Sequence, residues 1–226
     1  MQAIFDMFDE RVNEIEIYFK ALVELDGDRY TVETKPTYFE DEFIKMLKAN
    51  TLLMIYNLVE STVMGGILEI YDKLKQEGHT YSSVRKEIKD IWFSYKFQQV
   101  YDQTAHYHSY KDKALEIVNS IMTGEIIELD RKAASINGNL DAQQIRNVCN
   151  EHGIVFNADS EARGGTVLGT VKEKRNELAH GTLSFAECGR DYSVNDLETI
   201  KNETKIFLQG LLDGMKNYYE GKQYIG

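Results

Sequence analysis

The sequence predicts a mainly all-α fold, a helical bundle with at most one short β-hairpin or strand insertion. Three observations carry this. Apolar residues recur at alternating steps of three and four along most of the 226-residue chain, the period of a helical face. Helix start and stop residues bracket several of those stretches. Proline occurs once, at Pro36, and no Pro- or Ser-rich run interrupts the pattern. With no linker visible, residues 1–226 read as a single domain, long enough to bury a substantial core.

A first helix is expected over residues 3–25, with Phe8, Val12, Ile15, Phe19 and Leu22 on one face, broken by Asp26-Gly27-Asp28. A long second helix follows at 38–75. Its stripe reads Phe43, Leu47, Asn50, Met54, Asn57, Ser61, Met64, Leu68 and Tyr71, and Glu60 lies on the flanking row with Met46, Leu53 and Ile67. Polar groups on a buried stripe lose water and need partners. Asn57, Glu60 and Ser61 therefore either order helix packing or face a functional site. Further helices are expected at 83–97 and 109–122, and Ile126-Ile127-Glu128-Leu129 is a candidate short strand. Asp141 caps a helix that Gly153 ends. Thr166 opens the next, where Leu168, Val171 and Leu178 share a face with Arg175, and Gly181 suits a left-handed stop. Ser193-Val194-Asn195-Asp196, an acidic variant of the capping box, starts the last helix. Leu197, Ile200, Thr204, Phe207, Leu211, Met215 and Tyr218 are its inward face.

Apolar residues make up 42% of the chain and charged residues 28%, the balance of a soluble globular protein. No apolar run approaches membrane length, and Met1-Gln2-Ala3-Ile4-Phe5-Asp6 has no basic segment leading into an apolar one, so a cytoplasmic protein with no membrane partner is expected. Cys149 and Cys188 have no metal-ligand spacing and read as reduced thiols. His106 and His108 would share a face on a strand, but no nearby Cys or carboxylate cluster completes a metal site. Neither a metal nor a cofactor is expected. The net charge of −11 argues against tight nonspecific binding to nucleic acid. Arg163, Lys172, Lys174, Arg175 and Arg190 cluster in sequence, however, and could form a local basic cleft; Lys172, Lys174 and Arg190 are its candidate substrate-binding members.

The candidate chemistry lies in Arg175-Asn176-Glu177-Leu178-Ala179-His180-Gly181. Arg keeps its charge, and His can shuttle a proton near neutrality. A cation beside a proton shuttle is what RNA cleavage through its own 2′-hydroxyl requires. On an ideal helix Arg175 and His180 stand about 140° apart, from roughly 100° per residue. Convergence needs a backbone turn at His180-Gly181 or a second subunit. A near-copy, Arg146-Asn147 followed by His152, reads instead as a surface helix whose last turn carries His152 as a cation suited to the helix dipole.

Arg175-Asn176 followed by His180 resembles the signature of HEPN domains, the higher eukaryotes and prokaryotes nucleotide-binding helical bundles. Asn50, Tyr56-Asn57-Leu58-Val59-Glu60-Ser61, Ile91-Trp92, Ser184-Phe185, Gly189-Arg190 and Asp196-Leu197 extend the resemblance over most of residues 40–226, to a prokaryotic branch associated with defence loci. The resemblance implies a HEPN-like bundle and a metal-independent endoribonuclease of toxin or defence type, working as a homodimer with both motifs at the interface. His180 would act on the 2′-hydroxyl or the leaving group, Arg175 on the scissile phosphate, and Asn176 would orient one of them; Glu60, Asn57 and Ser61 would support them. An antitoxin or defence-system protein is an implied partner beside RNA. The alternative is a catalytically inactive HEPN module for interaction, dimerisation or nucleotide sensing, in which Arg175 is a structural cation paired with Glu60.

Overall fold

The computed structural model describes residues 1–31, 38–98, 107–136 and 138–226, with the side chains of 28–31, 38–40, 98 and 107–109 excepted. Eight α-helices and no sheet occur among the described residues: α1 Gln2–Thr31, α2 Tyr38–Gln76, α3 Lys86–Gln98, α4 Tyr107–Thr123, α5 Ala142–His152, α6 Val167–Ala179, α7 Phe185–Arg190 and α8 Val194–Glu220. The mainly helical expectation is met.

Helix α2 is the hub and packs against α1, α6, α7 and α8. Four neighbours leave it little solvent, so its sequence is apolar around most of its circumference rather than along one stripe. Within Asp41–Gln76 it is long and apolar enough to cross a membrane by composition, but 61% of that apolar window is buried in the protein's own interior. The buried row is Leu52, Tyr56, Val59, Val63, Ile67, Ile70 and Leu74. This corrects the expected stripe. Met64 and Tyr71 are buried, but Phe43 is 41% exposed and Asn57 faces solvent.

Two apolar clusters follow from this packing. The larger joins Phe8 and Ile15 of α1, Val63 and Ile67 of α2, Trp92 of α3, Ile117 of α4, Ile145 of α5, Leu168 of α6 and Phe207 and Met215 of α8. The smaller joins Phe19, Leu52, Ile55, Tyr56, Val171, Leu178, Cys188 and Leu197. It surrounds the end of the molecule that carries the Arg175 motif.

Local chemistry sets several boundaries as expected. Asp141 accepts the Gln144 N–H at the start of α5, and Gly153 ends that helix at φ 72°. Ser193 and Asp196 form the reciprocal cap of α8, and all seven expected inward residues of α8 are buried. Other expectations are corrected. Helix α1 runs through Asp26-Gly27-Asp28 to Thr31; a Cβ on Gly27 would meet nothing, so the glycine lowers propensity without imposing a turn. Ile126 makes only an isolated bridge with Thr80, and Ile127 donates its N–H to His79 O at 2.8 Å, so no strand forms there. Helix α7, not anticipated, begins with a Ser184/Glu187 capping box. It lies so close to α2 that a Cβ on Gly189 would come 1.8 Å from the Lys45 carbonyl oxygen.

His152 is corrected most sharply. It is 1% exposed, with Nδ1 2.7 Å from Val148 O and Nε2 2.7 Å from the Tyr71 hydroxyl. A carbonyl can only accept, so Nδ1 carries the proton and Nε2 accepts from Tyr71. Burial pushes its pKa down to about 4. It is a neutral core group, not a surface cation. Cys149 and Cys188 are free and buried, and burial pushes the Cys149 thiol up to about 12. His106 lies outside the described residues, as does the side chain of His108. Among the described residues no cluster of His, Cys, Asp or Glu could hold a metal.

Candidate functional site

Helix α6 positions the motif. Leu168, Val171 and Leu178 are buried and seat it between the two apolar clusters. Arg175, in register with them, emerges at the rim with 31% of its side chain exposed. A half-buried guanidinium needs compensation, and three groups supply it. Its Nη1 donates to Asn176 Oδ1 at 2.9 Å. Its carbon lies 4.7 Å from the centroid of the Tyr56 ring, within cation–π range. Its Nη2 stands 3.9 Å from Glu60 Oε2, the outer limit of an ion pair. The other Glu60 oxygen accepts from Arg131 Nη2 at 3.2 Å, so one carboxylate bridges two guanidiniums.

The loop before α5 closes over this group. The buried Tyr56 hydroxyl donates to Gly138 O at 2.5 Å and accepts the Leu140 N–H at 3.2 Å. Asn176 Nδ2 donates to Asn139 Oδ1 at 2.7 Å, so Asn176 ties the arginine to the loop. Asp141, next along, pairs with Lys172 at 2.5 Å. Burial alone would raise the Asp141 carboxyl, but Lys172 and the Gln144 N–H outweigh it and hold it below its ordinary value.

His180 stands at the other end of the motif. Its N–H still bonds Asn176 O at 2.9 Å, and its backbone is right-handed, φ −87° and ψ −3°. The left-handed turn comes one residue later, at Gly181 with φ 69°. Helical geometry therefore holds through His180, and the expected angle between it and Arg175 is not removed by a turn. The imidazole is exposed and bonds no described residue.

The basic residues near the motif do not form a bare cationic cleft. Lys172 pairs with Asp141, Lys174 with Glu177 at 2.7 Å, Arg163 with Glu203 at 3.3 Å and Arg190 with Asp191 at 3.7 Å. Lys172 lies beside the loop over Arg175, whereas the 66%-exposed Arg190 ends α7. Glu60 thus meets Arg175, while Asn57 and Ser61 line a groove on the far side of Glu60. Sequence reasoning missed Arg131 and Asn139 as neighbours of the motif. Both lie in the irregular segment between α4 and α5, where no periodicity points inward. Tyr56 had a usable signal: it precedes Glu60 by four residues, one helical turn.

A helical bundle that presents an Arg-Asn pair and a histidine at one helix end matches the class of domain that the motif's resemblance implied. Residues 1–224 match the family model for MAE_28990-like HEPN domains, and the chain belongs to this HEPN family. No curated protein and no solved structure matches it.

Proposed function

We propose that this HEPN protein is a metal-independent endoribonuclease that acts in the cytoplasm as a homodimer, with Arg175 and His180 as its catalytic residues and a defence-locus or antitoxin-like protein as its regulator. The observation that carries this reading is the asymmetry of the motif. Arg175 is preorganised by Tyr56, Asn176 and a loose contact to Glu60, whereas His180 is exposed and unbonded among the described residues. A fixed cation suits a phosphate whose charge grows in the transition state. A free imidazole suits proton transfer.

In the reaction the ribose 2′-oxygen attacks the adjacent phosphorus and the P–O5′ bond breaks. His180 takes the 2′-hydroxyl proton or delivers a proton to the departing 5′-oxygen. The products are a 2′,3′-cyclic phosphate and a 5′-hydroxyl. Arg175 holds the non-bridging oxygens, and Asn176 keeps Arg175 in place.

The test is cleavage of end-labelled single-stranded RNA by purified protein in EDTA. Arg175→Ala and His180→Ala each lower the rate by at least about 100-fold while retaining wild-type helicity. Retained cleavage in either variant rejects the assignment.

A second reading, a catalytically inactive interaction or nucleotide-sensing module, draws support from the pairing of Arg175 with Glu60 and of Lys172, Lys174 and Arg190 with acids. It expects no cleavage, and a loss of stability in Arg175→Ala.

A further inference from the structure

Arg11 occupies an unusual place on α1. It follows the buried Phe8 by three residues and precedes the buried Ile15 by four, so it projects from the core-facing side of its helix. It is only partly exposed, yet it makes no hydrogen bond or ion pair with any described residue. Its guanidinium donors are therefore free for a ligand. Arg131, Arg175, Lys172 and Lys174 each have an acidic partner, whereas Arg11 has none among the described residues.

Arg11 forms one wall of an open groove of about 370 Å³, with Arg131, Asn57, Glu60 and Ser61 on its other sides. That volume lies within the range of small-ligand sites. The Asn57 amide is solvent-facing and has no partner among the described residues. Ser61 donates its hydroxyl to Leu58 O at 3.1 Å, which leaves its oxygen lone pairs free. Leu68 and the mostly buried Met64 add apolar atoms to the groove's lining. Glu60 links this groove to the motif, because the carboxylate that lines it also faces Arg175.

We infer that this groove is a subsite for a nucleotide adjoining the scissile phosphate of single-stranded RNA, with Arg11 and Arg131 taking the flanking phosphate. The inference rests on the nuclease reading for its direction, but its chemistry stands on the groove. Two forked guanidiniums suit a phosphate. The Asn57 amide can hydrogen-bond a base edge, and Leu68 offers apolar surface to a base face. Arg131 donates to Glu60 through one nitrogen and has further donors on its fork for the phosphate.

The experiment measures binding of a fluorescein-labelled 2′-O-methyl RNA decamer, which cannot be cleaved through its 2′ position, by anisotropy across a salt series. Arg11→Gln weakens binding at least about five-fold and reduces the log–log salt slope by about 0.7, the loss of one single-strand phosphate contact. Arg11→Lys keeps the slope. Lys20→Gln, an exposed cation on the same helix outside the groove, changes neither quantity, and thermal melting confirms that the variants are folded. Equal affinity and slope for wild type and Arg11→Gln, or no wild-type binding at tens of micromolar, overturns the subsite. Cleavage of unmodified RNA of the same sequence reports separately on the nuclease. Arg11-dependent binding without cleavage rejects the nuclease and keeps the groove only as a single-stranded RNA site; cleavage with Arg11-independent binding keeps the nuclease and rejects the subsite.

Discussion

The Arg175 guanidinium lies 4.7 Å from the centroid of the Tyr56 ring, and the hydroxyl of that ring bonds both Gly138 O and the Leu140 N–H. One phenol thus supports the motif cation with its face and the loop beside it with its edge. The two roles separate by mutation. Tyr56→Phe keeps the ring and strands two backbone groups, costing about 1–3 kcal/mol in urea unfolding; under the proposed nuclease function its cleavage rate should fall less than ten-fold. Tyr56→Leu removes the ring as well and lowers the rate further. Equal rates for the two variants show that the ring face does not position Arg175.

Gly189 makes a simpler prediction about packing. An alanine there would push its Cβ against the Lys45 carbonyl oxygen, 1.8 Å away in the present geometry. Backbone cannot rotate aside as a side chain does, so α7 must move off α2. Gly189→Ala should cost at least about 2 kcal/mol in stability, read as a lower urea midpoint. An unchanged midpoint shows that α7 docks loosely.

What could be read from the sequence was chiefly local chemistry. The Asp141 cap, the Gly153 and Gly181 stops and the Ser193/Asp196 box are decided by a few adjacent residues, and the structure has each. The core face of α2 was not legible. Two rows, one through Asn57 and one through Tyr56, both satisfy the three-four spacing, and only the positions of α1, α6, α7 and α8 choose between them. The contact of Glu60 with Arg175 was anticipated because a cation on an apolar face needs an anion. Arg11 carried no such sign, because its meaning comes from a groove that three distant segments enclose.

His152 gives a pH dependence with a definite sign. Unfolded, it titrates near the ordinary histidine value of about 6.5; folded, burial depresses it to about 4. Between these values the unfolded chain binds more protons, so stability is fully present above about pH 6.5. It falls as the pH drops towards 4, by up to about 1.4 kcal/mol per unit. Chemical unfolding at pH 7.5, 6 and 5 should show this slope, and His152→Gln should flatten it. His152→Ala should cost about 2–4 kcal/mol through the cavity and the unpaired Tyr71 hydroxyl. An identical slope in wild type and His152→Gln places the titration on other groups.

The sharpest test of assembly follows from the backbone of His180. It keeps right-handed helical geometry, and the chain turns only at Gly181. Arg175 and His180 of one chain therefore project in different directions, and a two-fold partner would bring the Arg175 of one protomer towards the His180 of the other. Arg175→Ala and His180→Ala homodimers should each be inactive. If the proposed dimer forms, the two variants mixed and allowed to exchange would give heterodimers that hold one arginine and one histidine on opposite chains. Activity should return to a substantial fraction of the wild-type level, with a lag set by subunit exchange. The same mixture cross-linked before mixing should stay inactive, which separates exchange from contamination. Failure to recover activity, with heterodimers demonstrated by differential tagging, shows that each chain supplies its own Arg175 and His180 and removes the composite site.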